Sequence, residues 1–142
     1  MKLKAFADDG KAEAAAAAAA VVVALGAAAA ALIYYAFGLI RKILKPMTEG
    51  RPFDLSVGEN LKKIGYVSLV LGVVKNAGTM LETAAAFKAF DLAELASDGA
   101  IRSISATYTF DLSFLVVFFV LLLMAHIFRY GAELQQLSDE TL

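Results

Sequence analysis

The chain has 142 residues, is 60% hydrophobic, carries a formal net charge of −1 and contains no cysteine. That excludes disulfides, cysteine metal sites and thiol catalysis, and it leaves no electrostatic basis for direct nucleic-acid binding. A soluble domain averages about 45–50% apolar residues. The excess here gathers into three runs, each long enough for the ~20-residue helix that crosses a bilayer core. The expectation is an all-α, membrane-embedded bundle of three transmembrane helices, a single membrane domain over residues 1–142.

The first span is expected at 14–40. It opens on Ala14–Ala20 and Val21–Val23 and closes on Leu32–Ile40. Alanine is the best helix former but only weakly apolar, so insertion rests on the valines, Leu25 and the second half. Gly26, Ala30, Tyr34 and Gly38 recur every four residues and share one face, where small residues let another helix approach closely. Lys2 and Lys4 are followed by Asp8 and Asp9 rather than by an apolar core, so no cleavable signal is expected.

Residues 41–60 read as a basic connecting loop. Arg41, Lys42, Lys45, Arg51, Lys62 and Lys63 lie in or beside it, against Glu49, Asp54 and Glu59. Pro46 and Pro52 are expected to break any continuous helix. Ser56 and Glu59 have capping-box spacing and predict a helix start near Val57.

The second span, 61–87, carries the most informative pattern. At about 100° per residue, Gly65, Ser68, Gly72, Lys75, Asn76, Thr79, Glu82 and Thr83 fall on one face and Val67, Val70, Val73 and Met80 on the other. A small and polar face of this kind turns towards protein or water, because charge facing hydrocarbon is costly. Lys75 and Glu82 lie two turns apart on it, close enough for long side chains to meet through Thr79 or a water.

An external loop is expected over 88–109, with a helical turn at 91–96, a turn at Asp98-Gly99 and an extended stretch at 101–109. The third span, 110–130, is apolar almost all round, as suits a lipid-facing helix. Residues 131–142 form a polar tail in which Gly131 either ends the helix or is passed by it. The first loop is richer in basic residues than the second, which places it and the C-terminus in the cytoplasm. No second histidine or cysteine joins His126 as a ligand, and there is no phosphate-binding or nucleophile motif. Neither a cofactor nor an enzymatic activity is expected.

Two stretches resemble the DUF2975 family of small bacterial membrane proteins. One is Gly50-Arg51-Pro52-Phe53 followed by Glu59-Asn60-Leu61-Lys62-Lys63-Ile64-Gly65. The other is Asp111-Leu112-Ser113-Phe114, then Ala125-His126-Ile127-Phe128-Arg129-Tyr130-Gly131-Ala132-Glu133-Leu134-Gln135, ending Asp139-Glu140-Thr141-Leu142. The resemblance covers roughly residues 33–142. It implies a bacterial inner-membrane location and four spans in relatives, with the first of these expected to be missing from this chain. It also implies a neighbouring small helix-turn-helix regulator, and it supplies no catalytic residues. In the tail, Arg129, Glu133 and Gln135 are candidate contacts for a cytoplasmic regulator.

The residues support a non-catalytic membrane protein that packs against other membrane helices or against itself, as a complex subunit or membrane-bound regulator. The alternative is a small oligomeric transporter or channel built on the polar face.

Overall fold

A computed structural model describes residues 2–89 and 109–141. The expectations for residues 91–108, including most of the second loop, lie outside it. Among the described residues three helices follow one another: α1 (Lys2–Thr48), α2 (Leu55–Ala89) and α3 (Ser113–Glu140). Each is long and apolar enough to cross a membrane, and no strand occurs among the described residues.

The helices reach further than the hydrophobic runs. Arg41, Lys42 and Lys45 belong to α1, and Lys62 and Lys63 belong to α2, so the connection narrows from the expected 41–60 to 49–54. Pro46 does not break α1; it lies inside the last turn, buried. A proline there removes one hydrogen bond that the helix is about to give up anyway. The helix stops two residues later in a Schellman turn. Arg51 N–H reaches the Pro46 carbonyl at 2.9 Å, Gly50 N–H reaches Met47 at 3.3 Å, and Gly50 adopts φ +78°.

The start of α2 also differs from the capping-box expectation. The helix begins at Leu55, and the Asp54 carboxylate accepts the Ser56 N–H at 2.9 Å. Asp54 therefore caps the helix, two residues before Ser56 was expected to. At its far end, α3 passes Gly131 and continues to Glu140, so most of the expected tail is helix.

The chain divides into two compact units, Met1–Ala28 with Val74–Phe110, and Ala29–Val73 with Asp111–Leu142. The second unit holds the hydrophobic core. Ile43 from α1, Val57 and Leu61 from α2, and Ala125 from α3 are buried together, with Met47, Ile64, Leu121 and Phe128 packed around them. Val57 is fully buried, and Leu39 is buried nearby on α1. In the first unit the one deeply buried polar side chain among the described residues is Asn76.

Candidate helix-packing site

The α2–α3 contact is built on glycine. Gly58, Gly65 and Gly72 are spaced by seven residues, the interval of left-handed helix pairing, so all three lie on one stripe of α2. A methyl group on Gly58 would stand 3.1 Å from the Ala125 carbonyl oxygen. One on Gly65 would stand 3.5 Å from Leu121 and 3.6 Å from Phe118, and one on Gly72 would overlap the Phe114 ring. The contact walks down α3 as it walks up α2, so the two helices are antiparallel. Bare backbone at these three points lets α3 side chains sit directly on α2.

Thus Gly65 and Gly72, expected on a small and polar helix-packing face, stand directly under α3 side chains. Gly58 was missed because it lay inside the supposed capping box. The seven-residue interval to Gly65 and Gly72 was the available signal.

The hydroxyls of that face point back at their own helix. Ser68 donates to the Gly65 carbonyl at 2.7 Å, Thr79 to Asn76 at 2.9 Å and to Lys75 at 3.3 Å, and Thr83 to Thr79 at 2.8 Å. Such bonds satisfy a hydroxyl inside a bilayer with no other partner. Asn76 is buried, whereas Lys75 and Glu82 are exposed. Ser68 belongs with Gly65 and Gly72 in the second unit; Lys75, Asn76, Thr79, Glu82 and Thr83 belong to the first.

At the α1–α2 turn, Arg51 pairs with Glu49 at 2.7 Å and with Asp54 at 3.5 Å. Glu49, through its hydrogen bond and its charge, raises the Arg51 pKa, with Asp54 adding to it. The Ser56 side chain and then its backbone N–H hold Asp54 below the usual carboxylate range, with the Arg51 charge adding less. Phe53 then leaves the turn and lies over Gly131, with its ring 5.8 Å from that of Phe128. Arg129 and Glu133 form an exposed i,i+4 pair at 3.4 Å. Gln135 lines an open groove of about 430 Å³ beside Arg51, Phe53 and Asp139. His126 is exposed on α3, and no group of three potential metal ligands occurs among the described residues.

A four-residue repeat sits at both helix starts. Phe53-Asp54-Leu55-Ser56 opens α2 and Phe110-Asp111-Leu112-Ser113 opens α3. In each, the aspartate accepts the N–H of the serine two residues on, at 2.9 Å. The negative carboxylate also suits the positive end of each helix dipole.

The segments Gly50–Phe53 and Phe128–Gly131, some 75 residues apart in sequence, thus meet through Phe53. The family model described as "Protein of unknown function (DUF2975)" matches residues 3–142. The chain belongs to the DUF2975 family. The match includes the alanine-rich start, so the relationship extends well beyond the 33–142 that the motifs alone supported. No curated protein and no solved structure matches the chain. The Gly50–Phe53 and Phe128–Gly131 segments shape a turn and a close contact between that turn and α3.

Proposed function

We propose that this DUF2975 protein is a non-catalytic integral membrane protein that packs against partner membrane helices, as a complex subunit or a membrane-bound regulator. The carrying observation is that Glu82 is exposed on a helix long and apolar enough to span the bilayer. Hydrocarbon covers such charges at high cost, and a polar partner surface covers them cheaply. On α1, Gly26 and Gly38 have open space above them and Tyr34 is 83% exposed, so this helix also offers small-residue surface for close approach.

The membrane is a bacterial inner membrane in this reading, with the α1–α2 turn and the end of α3 in the cytoplasm. Arg129 supports that orientation, because it stands against Gly58 at the same end as the basic residues of α1 and α2.

The test is purification after gentle solubilisation. A co-purifying partner or a stable oligomer is expected, weakened by Lys75→Leu and Glu82→Leu. Recovery of a lone monomer with no crosslinked neighbour in the membrane overturns the proposal. The transporter alternative uses the same stripe, but Ser68, Thr79 and Thr83 direct their protons to helix carbonyls rather than to a pathway. Flux in liposomes that is abolished by both leucine variants would favour it instead.

A further inference from the structure

The third helix carries two apolar seams. The inner one, through Phe114, Phe118, Leu121, Ala125 and Ala132, is buried or turned to α2. The outer one is displaced by two residues, about 200° around the helix. It begins with Val116, Val120, Leu123 and Ile127 and continues with Tyr130, Leu134 and Leu137, always in steps of four and three. Every one of these side chains is between 50% and 65% exposed.

We propose that two copies of this chain pair through the outer seam of α3, as a parallel two-stranded coiled coil that starts in the bilayer and continues beyond it to Leu137. The proposal rests on the packing function above and adds to it a second face, separate from the α2 stripe, with its partner.

Inside the hydrocarbon run any register is apolar, so the decisive residues lie after Phe128. There the chain turns polar, with Arg129, Glu133, Gln135, Gln136, Ser138 and Asp139. The large apolar side chains that remain, Tyr130, Leu134 and Leu137, all fall on the outer seam. At 28 residues, α3 is about 42 Å long against a bilayer core of about 30 Å. Its last turns therefore stand outside hydrocarbon, where lipid chains do not cover leucine.

The residue types select the occupant. Val120, Ile127 and Leu134 take the a positions and Leu123, Tyr130 and Leu137 the d positions. Val120 and Ile127 at a with Leu123 at d match the pattern that favours two strands over three or four in a parallel coil. Two copies inserted in the same direction in one membrane present their α3 helices in parallel. In that arrangement Glu133 of one copy meets Ser138 of the other and His126 meets Gly131, so no like charges face each other. An antiparallel pair would set Glu133 against Glu140. Covering the seam would remove on the order of 700 Å² per copy, close to the ~800 Å² per partner of a standard specific interface.

The absence of native cysteine makes the test direct. Single cysteines are placed in the full chain at Leu134, Gln135, Gln136, Leu137 and Ser138, and the protein is oxidised in intact membranes. Disulfide dimers are expected at least tenfold faster at Leu134→Cys and Leu137→Cys than at Gln135→Cys and Gln136→Cys. A flat pattern, no dimer, or crosslinking of the seam to a different protein overturns the proposal. Native mass measurement of the double variant Leu134→Glu, Leu137→Glu separates the two readings. Dissociation from dimer to monomer supports the pairing. A complex that persists in this variant sinks the α3 pairing and leaves the broader packing function standing. A wild-type protein that is already a lone monomer sinks both.

Discussion

At Gly72 an added methyl group would fall into the Phe114 ring, whereas at Gly78, six residues away on the same helix, nothing among the described residues stands within 4 Å. The two positions make a matched experiment. Gly72→Ala is expected to destabilise by about 1–3 kcal/mol through overpacking. Gly78→Ala is expected to be neutral or slightly stabilising, because alanine is the better helix former. Unfolding by a denaturing detergent, followed by helicity, reads both. Asp54 makes a second residue-scale prediction. Its carboxyl titrates below the ordinary value in the folded protein, so its stabilising effect is present above the unfolded pKa, about 4, and is lost as pH falls through the folded one. The melting temperature of Asp54→Ala should therefore lie below wild type at pH 7, and the gap should close on acidification. A gap independent of pH would show that the carboxylate charge contributes nothing.

Each helix end follows a local rule that the hydrophobic runs do not reveal. α1 outlasts its apolar segment because nothing stops it until Gly50, whose positive φ permits the Schellman turn. Replacing Gly50 by alanine should cost about 1–2 kcal/mol, the penalty of the left-handed conformation for a residue with a side chain. Gly50→Asn should recover part of the loss, since asparagine tolerates that region. Thermal melts of the two variants in one detergent decide the matter. The repeated Phe-Asp-Leu-Ser opening of α2 and α3 was open to inspection in the sequence. It went unused because the Ser56–Glu59 spacing offered a competing cap for the first of them. α3 was read as uniformly lipid-facing for a related reason: within residues 114–128 nearly every side chain is apolar, so the pattern there has no phase. Only the packed neighbours distinguish its inner side from its outer side.

For the molecule as a whole, the basic residues of α1, the turn and α2 share one end of the second unit with Arg129. If that end is cytoplasmic, a cysteine at Gln136 should be shielded from a membrane-impermeant thiol reagent in intact cells and labelled after permeabilisation. Labelling of intact cells would reverse the orientation.

Three membrane-spanning helices and membership of the DUF2975 family were legible from sequence, because both depend on hydrophobic length and on short motifs that survive without a partner. The polar stripe of α2 was legible as a pattern but not as a set of roles. Gly65 and Gly72 look the same in the chain as Gly78, and only the presence or absence of an α3 side chain above each separates a packing site from open surface. Likewise, the hydroxyls of Ser68, Thr79 and Thr83 had acceptors within one helical turn, and the folded geometry decided that they use them. Helix periodicity places residues on a face. What that face meets depends on a second helix whose register no local pattern encodes.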